Sequence, residues 1–418
     1  MRVRGRAALA AALIAVASAA QALLGGAPAD AAPRGAERPP RVPAKAWILV
    51  DARDGDVLAS RAAARPRLVA STTKLMTAYV VLKELPLRRV VRAAPYRATP
   101  GESLLELRPR QRISVRDLLY GLILRSGNDA AHALAVAAAG SERRFVALMN
   151  RYAAALGLSD THYANPIGLD ERGNHSSPRD LAALARWLLR NRAFARMARA
   201  RRAVLRSVRP RRRIETTNRL LEMVPWATGV KTGHTWGAGW SLVASGRRKG
   251  VELIAVALGA PSEEARYTAS LALLEHGFAQ YRRRVPVRAG RALAEPPIRY
   301  TGGILPLRAP RTIAVGVRRG QRLQVRVRAP REVEGPIRRG ARLGRATVLV
   351  DGRPAGSVPL LAARSIPAPG AFDRARDLVS RHPAPVAGGA FVILMVAMLL
   401  ALRMRRSSDR RQCHLGRS

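Results

Sequence analysis

Three short stretches of this chain carry residues able to move a proton or attack a carbonyl. They are Ser71-Thr72-Thr73-Lys74, Ser126-Gly127-Asn128 and Lys231-Thr232-Gly233. The first sets a hydroxyl three residues before an amine. On a helix that spacing puts both on one face, within side-chain reach. Ser favours a helix start, where the partial positive charge supports a developing oxyanion. A Ser hydroxyl is a weak nucleophile until a base takes its proton. Lys can be that base when a dry site or nearby cations leave its amine neutral, whereas an Arg guanidinium keeps its proton. The chain makes this choice against its own habit. Of its 74 Lys and Arg, only Lys45, Lys74, Lys83, Lys231 and Lys249 are Lys. The residues after Lys74, Leu75-Met76-Thr77-Ala78-Tyr79-Val80-Val81, are apolar on nearly all sides. Such a helix is buried, and a Lys at its head needs a partner or a task.

The other two stretches admit a bland reading and a chemical one. Ser126-Gly127-Asn128 falls at a helix break, and Asn128 suits an N-cap. As site elements, Ser126 could relay a proton and Asn128 could hold Lys74 and a substrate amide. Lys231-Thr232-Gly233 reads as an edge strand flanked by Gly229, Gly237 and Gly239. Glycine weakens a strand unless something must approach its backbone, and a peptide laid alongside is one such thing. Lys231 would then attract a carboxylate, Thr232 would hydrogen-bond it, and Gly233 would leave room. The bland alternative is a glycine-rich bulge on an ordinary hairpin.

The elements that must position these residues run from about Ala46 to Ala279. The stretch AWILVDARDGDVLAS reads as a hairpin turning at Asp54-Gly55. SVRDLLYGLILRSGNDAAHALAVAAAG reads as two helical runs around a break at Gly127. GWSLVASGRRKGVELIAVALGA reads as two strands joined by a short turn. From about Val287 to Pro367 the runs RTIAVGV, RLQVRV, ATVLVDG and AGSVPLL imply a small all-β domain.

The ends differ from this body. Residues 1–31 combine three early Arg, an apolar run and a small-residue cleavage site at Ala29-Asp30-Ala31, the pattern of a secretory signal peptide. A Pro-rich linker follows over 32–45. Pro383–Leu402 is uncharged and close to the ~20 residues that cross a bilayer. The Arg-rich tail, 403–418, places that end in the cytoplasm and the body outside. The expectation is therefore a single-pass anchor on the outer face of a membrane. One cysteine, Cys413, allows no internal disulfide.

The 418 residues carry a formal charge of +46. The Arg residues are spread along the chain with no zinc-finger, RRM or basic-zipper pattern, so the charge does not point to nucleic acid. The densest cluster, Arg199 to Arg213, reads as a solvated face or loop.

Taken together, the three stretches resemble the serine D-alanyl-D-alanine carboxypeptidases, the low-molecular-weight penicillin-binding proteins. GLSDTHYANPIGLDERGNHSSPRDLAALARWLL and NRLLEMVPWATGVKTGHTWGAGWSLVASG are similar to that family's stretches before and around its third motif. The resemblance covers about Ala46 to Ala279, and the β-rich segment is similar to the second domain many members carry. It implies an α/β (α+β) fold with an antiparallel sheet flanked by helices, the site lying at the sheet edge. It implies that Ser71 attacks the penultimate D-Ala carbonyl of a peptidoglycan stem peptide and that Lys74 takes the proton. Ser126 and Asn128 complete the catalytic set. Backbone N–H groups of Ser71 and His234 form the oxyanion hole. Lys231, Thr232 and Gly233 receive the substrate, and β-lactams acylate Ser71. The resemblance implies no metal or cofactor, and the seven His offer no H-E-x-x-H spacing.

Two enzymatic rivals share the scaffold. A β-lactamase needs a deacylating Glu, for which Glu171 with Asn174 is the tempting pair. A D,D-endopeptidase or weak transpeptidase differs only in peptide or acceptor. A rival of another class is a non-catalytic wall-binding scaffold, against which Ser71, Lys74, Asn128 and Lys231 argue.

Overall fold

The computed structural model describes residues 38–381 and 393–403. The chain divides into two compact units, Met1–Arg41 and Val42–Ser418. The elements that follow belong to the second.

The chain opens with the hairpin of β1 (Ala46–Asp51) and β2 (Val57–Arg61). Gly55 in its turn has φ +89°, a conformation that favours glycine. A 3₁₀ turn, Ala70–Thr73, runs into α1 (Lys74–Glu84). A small hairpin of β3 (Val90–Arg92) and β4 (Arg112–Ser114) leads into α2 (Val115–Tyr120). One π turn, Gly121–Arg125, precedes α3 (Asn128–Ala139). Then come α4 (Glu142–Ala155), α5 (Pro178–Arg190) and α6 (Arg192–Ala198). The Arg-dense cluster is the hairpin of β5 (Arg202–Leu205) and β6 (Arg212–Glu215), most of whose Arg side chains are exposed. After α7 (Leu220–Met223) the chain forms β7 (Ala227–Thr235), β8 (Gly239–Arg248) and β9 (Val251–Ala260), and closes with α8 (Glu263–Ala279).

The main sheet has the order β2-β1-β9-β8-β7, antiparallel throughout. Its central strand β9 is apolar at nearly every position because both its faces are covered. Leu253, Ala255 and Ala257 pack with Leu273, Leu274 and Phe278 of α8. Ile254 and Val256 join the larger core with Leu75 and Met76 of α1 and Leu181 of α5. Helix α1 is buried on almost all sides, as its sequence requires. The arrangement leaves β7 at the sheet edge, with one side free for another chain.

Beyond α8, β10 (Tyr281–Val287) is followed by β11 (Ala292–Ala294), β12 (Leu307–Arg308), β13 (Ile313–Arg318), β14 (Leu323–Arg328), β15 (Arg342–Val350) and β16 (Arg353–Ala362). β10 pairs with β13, and the others form a sheet in the order β11-β12-β16-β15-β14. This part has its own core, including Val287, Leu305, Leu307, Val348, Val358 and Leu360. It meets the first hairpin through Arg318 and Asp56 at 2.7 Å and through the buried Tyr281 hydroxyl, which donates to Asp51 at 2.7 Å. Helix α9 (Ala371–Arg381) ends it.

The signal-peptide segment 1–31 lies outside the described residues, as do residues 382–392 and 404–418. The expected span, Pro383–Leu402, is therefore described only from Ile393. Residues 393–403 form a helix with exposed apolar side chains, including Ile393 and Leu394. Those 11 residues rise only about 16 Å, roughly half a bilayer core. Among the described residues, no helix is long and apolar enough to cross a membrane.

Candidate active site

The structure brings the three sequence stretches to one place. Ser71 sits in the 3₁₀ turn and not at a side-chain cap of α1, which begins at Lys74. Lys74 Nζ lies 2.8 Å from Ser71 Oγ. It also donates to the Ile167 carbonyl at 2.5 Å. Lys74 is fully buried, and its amine is pushed well below the ordinary lysine range. Burial is the main cause and the Lys231 charge adds to it, while Glu102 and Asp129 pull the other way. With its ammonium destabilised, Lys74 can keep one N–H on Ile167 and turn its lone pair toward Ser71.

Ser126 follows the π turn in the left-handed conformation, at φ +57°. That bend aims its hydroxyl at Lys231, whose Nζ donates to it at 2.9 Å. Lys231 Nζ also reaches the Thr232 carbonyl at 2.8 Å. Burial lowers the Lys231 amine to about 7, with help from the Arg266 charge. Thr232 Oγ1 lies 3.5 Å from Thr217 Oγ1, a loose contact that leaves the hydroxyl free to turn.

Gly233 makes room for a different neighbour than the sequence implies. A Cβ there would stand 3.2 Å from the Ser71 nitrogen and 3.1 Å from the Val69 carbonyl oxygen. The missing side chain therefore lets β7 close onto the Ser71 turn. His234, the next residue, stacks on Trp240 with ring centroids 3.9 Å apart.

Asn128 is the first residue of α3, and Gly127 occupies the cap. Its amide donates to Glu102 at 2.7 Å. The expected contact with Lys74 is replaced by this one: the Lys74 hydrogen bonds go to Ser71 and Ile167. Glu102 also accepts from the Tyr96 hydroxyl and from the Thr99 backbone and side chain. Burial alone would raise its carboxyl. The hydrogen bonds from Asn128, Thr99 and Tyr96 outweigh that and hold it down at about 2. A permanent carboxylate thus fixes which way the Asn128 amide faces. Asp129 next to it accepts from Leu105 N at 2.7 Å and Leu107 N at 2.8 Å, tying the 102–107 loop across the site.

The loop 165–170 holds the nucleophile from below. Asn165 accepts from the N–H groups of Ile167 and Gly168 at 3.2 and 2.7 Å. The Pro166 carbonyl accepts from Thr77 at 2.6 Å, and the Ile167 carbonyl takes Lys74. Gly168, at φ +91°, lies so close that a Cβ would stand 2.1 Å from the Ala70 carbonyl oxygen. Asp170 accepts from Thr235 Oγ1 at 2.7 Å and Gly237 N at 2.9 Å, clasping the β7–β8 turn. The same loop thus orients Lys74, supports Ser71 and fixes the end of β7.

Sequence reasoning reached the three motifs but not Glu102, Asp129, Asp170 or Arg266. Arg266 is buried behind β7, with its guanidinium carbon 4.7 Å from the Trp240 ring centre. The Glu171 and Asn174 pair builds the loop. Glu171 accepts from Asn165 at 2.8 Å, and Asn174 donates to the Leu169 carbonyl at 3.2 Å.

Known proteins agree with this arrangement. Residues 34–262 match the family described as D-alanyl-D-alanine carboxypeptidase, Peptidase S11. The chain is 39% identical over 254 residues to D-alanyl-D-alanine carboxypeptidase DacD of Salmonella typhimurium, covering 58% of this chain and 64% of the relative. It is 37% identical over 229 residues to DacB2 of Mycobacterium tuberculosis, covering 54% of this chain and 78% of the relative. Penicillin-binding protein 5 from Haemophilus influenzae superposes with a TM-score of 0.56 at 28% identity, covering 79% of this chain and 99% of that one. The match thus spans a little under two thirds of the Salmonella relative's length. A serine and lysine in contact, a second serine and lysine beside them and this match over more than half the chain lead to one conclusion: the chain belongs to the D-alanyl-D-alanine carboxypeptidase family.

Proposed function

We propose that the protein is a serine D-alanyl-D-alanine carboxypeptidase that trims the terminal D-Ala from peptidoglycan stem peptides. The observation that carries this reading is Lys74 Nζ at 2.8 Å from Ser71 Oγ, in a site dry enough to drive that amine neutral. Neutral Lys74 accepts the Ser71 proton as Oγ attacks the penultimate D-Ala carbonyl. The oxyanion forms against the backbone N–H groups of Ser71 and His234. The C–N bond then breaks, and the departing D-Ala amine takes a proton through Ser126, which Lys231 contacts. Water attacks the resulting ester, gives its proton to Lys74, and frees Ser71. Lys231 and Thr232 hold the terminal carboxylate, and Asn128, fixed by Glu102, holds the substrate amide. β-Lactams enter as substrate mimics and acylate Ser71. The loop-building contacts of Glu171 and Asn174 favour this reading over a β-lactamase.

The site also sets a pH profile. Proton uptake by Lys74 requires its neutral form, so activity rises as pH climbs through its lowered pKa. Carboxylate binding requires the Lys231 charge, which is lost as pH rises through about 7. The expected kcat/KM profile for a stem peptide is a bell whose falling limb begins near neutrality. A profile that keeps climbing to pH 9 contradicts the assignment of Lys231.

We infer the setting from the ends of the chain. The signal-like segment 1–31 exports it. The catalytic part, 46–279, and the β-rich part, 287–367, stand on the outer face of the membrane, joined to the signal segment by the linker 32–45. The uncharged stretch Pro383–Leu402 and the Arg-rich tail 403–418 support a single-pass anchor.

The direct test follows D-Ala release from a stem pentapeptide by the purified protein, alongside Ser71→Ala. Release by the wild type and none by the variant is expected. Equal release from both would remove Ser71 from the mechanism.

A further inference from the structure

Trp236 is 97% exposed, at the tip of the turn that follows β7. Nothing in the fold needs its ring there, yet the backbone on both sides is fixed. Thr235 and Gly237 are clasped by Asp170, and Ala238 N donates to Thr235 Oγ1 at 3.1 Å. The ring is also the outer end of a column. Arg266 lies under Trp240, Trp240 stacks on His234, and the His234 and Trp236 centroids are 6.1 Å apart at an interplanar angle of 63°. Burial, assisted by the Arg266 charge, lowers the His234 pKa and so favours a neutral ring. Leu169, 38% exposed, adds a second apolar side chain beside Asp170. A rigidly mounted, solvent-facing indole costs little entropy to bind against and offers a large contact area.

The direction of the substrate follows from the carboxypeptidase reading, on which this inference rests. With the terminal carboxylate at Lys231 and Thr232 and the scissile carbonyl at the His234 N–H, the peptide runs antiparallel to β7. A chain alongside a strand advances about 3.4 Å per residue. The residue before the two D-alanines therefore passes Thr235 and Trp236. We propose that Trp236 is a specificity-determining residue that contacts this third residue from the C-terminus and favours a long aliphatic side chain carrying an amine. The methylenes lie on the indole, and the ammonium is drawn to its face and to the Asp170 carboxylate nearby.

The test compares two substrates, N-acetyl-D-Ala-D-Ala and diacetyl-L-Lys-D-Ala-D-Ala. The short one ends before Trp236 and the long one reaches it. In Trp236→Ala the ratio of their kcat/KM values, long over short, is expected to fall about tenfold. Trp236→Phe, which keeps a ring, is expected to restore most of the ratio. An unchanged ratio in Trp236→Ala, or a Phe variant no better than Ala, overturns the inference. A wild type that neither binds fluorescent penicillin at Ser71 nor releases D-Ala overturns the carboxypeptidase reading and this inference with it. A wild type that does both while the ratio stays fixed overturns the inference alone.

Discussion

Lys74→Arg retains the positive charge and loses acylation, with the rate of penicillin attachment falling by about 10²–10⁴. The reason is proton chemistry and not charge. The Lys74 amine is destabilised as a cation by burial and by Lys231, so it can accept the Ser71 proton. A guanidinium in the same place keeps its proton and leaves Ser71 a weak nucleophile. Stopped-flow quenching with a fluorescent penicillin measures the loss, and circular dichroism checks that the variant folds. A Lys74→Arg protein that acylates at the wild-type rate would mean that another group is the base.

Gly168→Ala is the second large effect. Residue 168 has φ +91°, where a side chain costs about 1–3 kcal/mol of backbone strain. The added Cβ would also stand 2.1 Å from the Ala70 carbonyl oxygen and 3.0 Å from the Ser71 nitrogen. Those are backbone atoms, so the nucleophile turn itself must shift. A shift of about 1 Å at reacting atoms costs on the order of 100-fold in rate. Gly157→Ala is the matched control, because φ there is +69° and nothing lies within 4 Å of its Cβ. Both variants are expected to lose stability in a urea melt, and only Gly168→Ala to lose acylation. Equal acylation rates in the two would mean that the 165–170 loop does not support Ser71.

Much of the site was legible in the sequence because its chemistry restricts residue type at short spacing. Ser71 and Lys74 sit within one turn, and a scarce Lys marks a position where Arg would fail. The hairpins were legible for a similar local reason: Asp54-Gly55, and the Lys249-Gly250 turn between β8 and β9, use residues in positive φ. Contacts between distant segments leave no such trace. Glu102 and Asn128 are 26 residues apart, and Arg266 lies 33 residues from the Gly233 carbonyl it reaches at 3.4 Å. Each of these residues reads as an ordinary charged or polar side chain until the fold sets its partner beside it. Gly233 shows the limit of local logic. Its missing side chain did signal a close approach, but the approaching group includes the Ser71 turn of the same chain. The Asn-Pro-x-Gly-Leu stretch likewise carried a resemblance without a reason. Its reason is physical: Asn165 bends the loop so that Pro166, Ile167 and Gly168 can each meet the segment Ala70–Thr77.

The central claim is that Ser71, activated by Lys74, forms an acyl-enzyme. Mass spectrometry of the intact protein after brief exposure to benzylpenicillin tests it most directly, with proteolysis to locate the adduct. One penicilloyl group on the peptide bearing Ser71, absent in Ser71→Ala and nearly absent in Lys74→Arg, is the expected result. An adduct on another residue, or one that persists in Ser71→Ala, would contradict the account.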